Sequence, residues 1–122
     1  MHLLKKIEQL ENEATEFGFQ WEKVEQVMEQ IQSECLEIKA HLNTDNRADL
    51  QEEIGDLMHA VFSLCVFCQL DTEETLQKTV SKFERRLSEV KKIAREQGLT
   101  NLKGLPFDKL MLVWNAAKKR IG

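Results

Sequence analysis

Apolar residues in this chain return in alternating steps of three and four, and that rhythm restricts the fold more than any other feature. Trp21, Val24, Met28, Ile31, Cys35, Ile38 and Leu42 keep it over one stretch. Leu50, Ile54, Leu57, Val61, Leu64 and Cys68 keep it over a second, and Leu76, Val80, Phe83, Leu87, Val90 and Ala94 over a third. At 3.6 residues per turn such positions form one stripe, so each stretch reads as a helix packed lengthwise on others. A shorter helix is expected before Gly18, from Leu3, Leu4, Ile7, Leu10 and Ala14, and another at the end, from Leu110, Val113, Trp114, Ala117 and Ile121. Asn43-Thr44-Asp45-Asn46 reads as a turn, because these side chains bond their own backbone in competition with helix. Asp71-x-x-Glu74 with Thr72 supplies an N-cap, and the segment from Leu99 to Phe107, with Gly104 and Pro106, reads as a loop. One proline, five glycines and no tyrosine exclude a β-sandwich or barrel. The expected fold is all-α: an antiparallel bundle of four to five helices, forming one domain over residues 1–122 because two cores would each be too small. The third helix, apolar on nearly every face beyond Asp56, should be central and most buried.

Seventeen Lys and Arg against 21 Asp and Glu leave a net charge of −4, which argues against nucleic acid as the main partner. The longest apolar run, Leu57 to Cys68, holds His59 and Ser63 and is too short to cross a bilayer, so no membrane partner is expected. Met1-His2-Leu3-Leu4-Lys5-Lys6 lacks the pattern of a secretory signal, and a cytoplasmic location is expected. The cysteines, including Cys65-x-x-Cys68, fall on apolar helix faces where thiols pack as small hydrophobes.

Two carboxylate pairs carry the chemistry: Glu34-x-x-Glu37 on the second helix and Glu53-x-x-Asp56 on the third. Each acid precedes a seam residue, so it sits at the shoulder of the buried stripe, and a spacing of three stacks each pair on one face. Glu37 with Glu53 and Glu34 with Asp56 share the same midpoint, residue 45, inside the expected turn. In an antiparallel hairpin the acids therefore stand level across helices about 8–10 Å apart. Four such charges repel unless they protonate or meet a cation. An all-oxygen donor set suits Mg²⁺, with Mn²⁺ as the substitute, and suits zinc or copper poorly. Solvated acidic faces are the plain alternative for so charged a chain. His41 and His59 follow Glu37 and Asp56 by four and three residues, which invites comparison with di-iron bundles. Those need Glu-x-x-His on two helices, and the chain has a single Asp-x-x-His, so His59 is expected to be a hydrogen-bonded core residue.

Lys82 and Arg86, four apart on the fourth helix, lie on one shoulder of its stripe and offer a point charge and a planar fork for phosphate oxygens. Their plain alternative is pairing with surface acids such as Glu89. Trp114 and Lys118 form a similar pair on the last helix, with Trp114 otherwise a core residue.

Taken in order, Gly18-Phe19-Gln20-Trp21, Glu34-x-x-Glu37, Glu53-Ile54-Gly55-Asp56-Leu57, Lys82-Phe83-Glu84-Arg85-Arg86, Val113-Trp114 and Lys118 resemble the MazG-like nucleoside triphosphate pyrophosphohydrolases of the all-α type. The resemblance implies Mg²⁺-dependent hydrolysis of a nucleoside triphosphate to monophosphate and pyrophosphate. It makes Glu34, Glu37, Glu53 and Asp56 the catalytic metal ligands, lets Lys82, Arg86 and Lys118 hold the phosphates, and sets Trp114 beside the nucleotide. It also implies that a homodimer or tetramer completes the bundle. The chain departs from the family pattern at Ser33, where a glutamate is common, and at Val80 and Ser63, where asparagines are common. Those departures carry the alternative reading, a non-catalytic nucleotide-binding or oligomerisation module on the same fold.

Overall fold

A computed structural model describes residues 3–122; Met1 and His2, where the reading of the N-terminus begins, lie outside the described residues. Five helices and no strand occur among those residues: α1 (Leu3–Phe17), α2 (Val24–His41), α3 (Arg47–Phe67), α4 (Thr72–Glu96) and α5 (Phe107–Ile121). No single helix among them is long and apolar enough to cross a membrane.

The helix ends follow from local chemistry. Asp71 accepts the Glu74 amide at 2.8 Å through Oδ1 and so caps α4, as its spacing predicts. Asn46 caps α3 by accepting the Asp49 amide at 3.1 Å. The second helix begins later than the apolar pattern suggests, because the Gln26 side chain takes the amides of Glu22 (2.8 Å) and Lys23 (3.1 Å) and holds the Trp21 segment outside it. Helices α1 and α4 close the same way, on a left-handed glycine: Gly18 at φ +98° and Gly98 at φ +76°, with Phe19 N–H on Ala14 O and Leu99 N–H on Ala94 O, both 2.8 Å. The end of α3 copies this motif with a side chain in the glycine position. Gln69 sits at φ +60°, and Leu70 N–H reaches Cys65 O at 3.0 Å.

Two compact units divide the chain, residues 1–75 and 76–122. In the first, α3 packs against α2 most extensively and against α1 as well. Thr72 bonds Leu4 O and Glu8, while Glu11 meets Ser63 and His59, so partners on the later segment descend as α1 climbs. Val27, Leu50 and Ala60 are its buried apolar residues, and Glu34, Ser63 and Thr72 are buried as well. In the second, Ile93 of α4 and Val113 and Ala117 of α5 make the core, flanked by Val90, Leu102 and Ala116.

The seams are only partly covered. Helix α3 is central to its unit, yet Ile54, Met58 and Val61 stay exposed, as do Leu76, Val80 and Phe83 on α4. A helix apolar on nearly all sides needs more neighbours than α1 and α2 provide. The cysteines correct the expectation of core packing: Cys35 and Cys68 are exposed, and only Cys65 is half-buried, its thiol 3.5 Å from Leu70 O and Thr75 Oγ1.

Candidate active site

Of the four seam-shoulder acids, two turn inward. Glu34, on α2, is 8 % exposed. Its Oε1 accepts the Gln30 amide at 2.6 Å, while its Oε2 is buried with no hydrogen-bond partner. Glu53, on α3, is half-buried; its Oε1 lies 2.7 Å from His41 Nδ1, and its Oε2 is likewise buried and unpartnered. Glu37 and Asp56 are exposed. No three Asp, Glu, His or Cys side chains among the described residues converge closely enough to hold a metal ion. What the structure does provide is a pair of carboxylate oxygens, stripped of water, on two helices that pack together. A buried carboxylate without a donor is costly, and either a proton or a cation relieves it. Carboxylate oxygens are the donors that a hard divalent ion prefers.

The histidines stand elsewhere than expected of ligands. His41 Nδ1 lies 2.9 Å from the Glu37 carbonyl as well as against Glu53, so its ring closes the turn end of the acid site. His59 is hydrogen-bonded, as expected, but is exposed and not in the core: Nε2 lies 2.8 Å from Glu11 Oε1, which also accepts the Ser63 hydroxyl at 2.6 Å. The reason is α1, which meets this face of α3 with a carboxylate and not with apolar cover. Nothing in the apolar spacing of α1 distinguishes Glu11 from its other acids.

The second unit holds the cations. The Arg86 guanidinium lies 5.6 Å from the Trp114 ring centre and donates through Nε to the Gly122 carbonyl at 3.1 Å. Phe83 and Trp114 are 6.1 Å apart at 54°, a tilted aromatic pair. Trp114 is half-buried, between core residue and exposed platform. Lys82 and Lys118 each lie one turn from this contact, four residues before Arg86 and four after Trp114. Of the four residues, Arg86 and Trp114 are in direct contact, while Lys82 is exposed and Lys118 half-buried. Glu89, the acid expected to compete for Lys82 and Arg86, is bound instead by Arg120 at 3.1 Å. Arg120 also grips Glu96 through two bonds of 2.7 and 2.9 Å. Those hydrogen bonds hold the Glu96 carboxyl below its usual range and push the Arg120 guanidinium up.

Charge is sorted between the units, a feature that the overall net charge conceals. Residues 1–75 hold 5 Lys and Arg against 17 Asp and Glu, a net of −12; residues 76–122 hold 12 against 4, a net of +8. Glu34, Glu37, Glu53 and Asp56 thus belong to a strongly acidic unit, and Lys82, Arg86 and Lys118 to a basic one.

Comparison with known proteins agrees with this chemistry. The Thermotoga maritima nucleoside triphosphate pyrophosphohydrolase/pyrophosphatase MazG is 33% identical over 109 residues, covering 89% of this chain and 41% of that protein. The Escherichia coli K12 nucleoside triphosphate pyrophosphohydrolase is 29% identical over 119 residues, 96% of this chain and 45% of that one. An uncharacterised Bacillus subtilis protein, YabN, is 32% identical over 71 residues, 58% of this chain and 14% of its own length. The chain thus spans less than half the length of these curated relatives. The family model for the MazG nucleotide pyrophosphohydrolase domain matches residues 22–91, more than half of the chain, from just after Trp21 to beyond the basic turn of α4. On that match, and on its identity to the Thermotoga maritima protein, the chain belongs to the MazG nucleotide pyrophosphohydrolase domain family.

Proposed function

We propose that this chain hydrolyses nucleoside triphosphates to a nucleoside monophosphate and pyrophosphate with Mg²⁺, which Mn²⁺ can replace. The observation that carries the reading is the pair of buried, unpartnered oxygens, Glu34 Oε2 and Glu53 Oε2, on neighbouring helices. Glu34, Glu37, Glu53 and Asp56 would hold the metal. Bound there, Mg²⁺ supplies neutralisation of phosphate charge. Lys82, Arg86 and Lys118 bind the phosphates, and Trp114 borders the nucleoside. Arg86 is pre-positioned by its stacking on Trp114, so its fork is oriented before substrate arrives. A carboxylate orients water for attack on the α-phosphorus and accepts its proton. The bond to the bridging oxygen breaks, and pyrophosphate leaves into the basic side chains.

In this reading residues 1–122 act as one domain, an antiparallel bundle completed in a homodimer or tetramer. The exposed apolar seams of α3 and α4 support such assembly. The partners are the nucleotide and a second copy, with neither nucleic acid nor membrane, and the setting is the cytoplasm. Incubation with Mg²⁺ and a panel of ordinary and modified triphosphates is the test. Release of pyrophosphate is expected from at least one, and none from any would end the reading. The non-catalytic module has one specific observation in its favour: Ser63, one of the departures from the family pattern, spends its hydroxyl on Glu11. Calorimetric binding of a triphosphate without turnover would select that module.

A further inference from the structure

We infer that the second unit carries a separate site for a small organic acid, a ligand with an apolar body ending in one compact oxyanion. A hollow of about 620 Å³ opens between the last turns of α4 and the segment that follows it. That volume lies within the range of small-molecule sites. Leu87, Val90, Ala94, Leu99 and Leu102 give it an apolar wall, and Lys91 and Arg95 line it as well. The wall is fixed in advance, because Gly98 turns left-handed and Leu99 N–H is tied to Ala94 O at 2.8 Å.

Charge selects the ligand. Lys91 and Arg95 are exposed, four apart on one face of α4, and no carboxylate among the described residues pairs with either. Arg120 in the same unit is, by contrast, fully engaged by Glu89 and Glu96. Two free cations beside an apolar hollow suit a carboxylate or phosphate head whose hydrocarbon part lies against the leucines. A triphosphate fits poorly, since its remaining oxygens would face that wall unpaired. The site is distinct from the one assigned to substrate: nine residues, about two and a half turns, separate Lys82 from Lys91 and Arg86 from Arg95, which puts the two pairs on opposite sides of the helix. The inference therefore does not depend on the pyrophosphohydrolase reading.

Octanoate is a suitable probe, titrated into the isotopically labelled full chain and followed by amide shifts. Saturable shifts over residues 87–102 are expected, with octanol at least about tenfold weaker because it lacks the charge. Lys91→Glu combined with Arg95→Glu should weaken octanoate by about tenfold or more, whereas Lys109→Glu, elsewhere on the surface, should leave it unchanged. A saturating triphosphate should not displace the probe. No saturable shift up to about 10 mM, equal binding of octanol, or equal loss in the Lys109 variant would overturn the inference. So would displacement by triphosphate.

Discussion

Replacing Glu34 by glutamine should make the metal-free protein more stable and nearly blind to Mg²⁺. In the wild type, Glu34 Oε1 already accepts the Gln30 amide, and glutamine keeps that bond through its own oxygen. What changes is the other atom. A charged Oε2 with no partner becomes a neutral amide nitrogen in the same buried place. The difference between burying an unpaired charge and an unpaired neutral group amounts to about 1–2 kcal/mol here. For a chain of this size that is about 4–8 °C in melting temperature. Magnesium should act in the opposite sense: at a hundredfold excess over its dissociation constant, binding at this site would stabilise the wild type by about 2.7 kcal/mol, or roughly 10 °C. Thermal melts followed by circular dichroism, in EDTA and in Mg²⁺, should therefore cross. The variant leads without metal and the wild type leads with it. Glu53→Gln should gain less in EDTA, because it also weakens the 2.7 Å contact with His41. A Glu34→Gln protein no more stable than wild type in EDTA, or one that responds to Mg²⁺ equally, would show that the buried oxygen is not waiting for a cation.

Lys82→Ala should weaken triphosphate binding by about tenfold while leaving Mg²⁺ affinity unchanged in calorimetry, since a phosphate contact is worth about 1–2 kcal/mol; equal losses would remove Lys82 from the phosphate site. Gln69→Gly should stabilise the fold by about 0.5–1 kcal/mol in urea unfolding, because Gln69 holds the left-handed conformation that glycine adopts freely. A loss of stability would mean that its side chain makes up for the strain. Glu96 is held below its ordinary value of 4.5 by Arg120, so its contribution is present above that pH and fades as pH falls through the lower, folded value. Wild type and Glu96→Gln should accordingly converge in stability at acid pH and separate above it, and parallel curves would contradict the pairing.

The helices were readable because their signals are local. Asp71, Gly18, Gly98 and Pro106 punctuate the chain through their own backbone chemistry, and the apolar stepping marks what lies between. Errors arise where a side chain reaches across that punctuation. Trp21 continues the stripe of α2, but Gln26 claims the amides of Glu22 and Lys23 and ends the helix first. Spacing put all four acids at the edge of a buried stripe, yet Glu34 and Glu53 face inward while Glu37 and Asp56 face water. Periodicity specifies a direction on one helix to within about a third of a turn, and burial depends on what the neighbouring helix brings. Glu11 was beyond reach for that reason: its importance comes from the register of α1 on α3, which meets it with His59 and Ser63. The segregation of charge, by contrast, was present in the sequence throughout and vanished only because opposite signs were added together.

Near its isoelectric pH, about 5.4, this chain is neutral only on paper. An acidic stretch on one molecule will meet a basic stretch on the next, and at low ionic strength solutions of the protein should cloud by attraction between unlike regions. Ordinary salt, which confines such fields to about 8 Å at physiological strength, should clear them. Purification buffers without added electrolyte would then mistake an electrostatic association for misfolding.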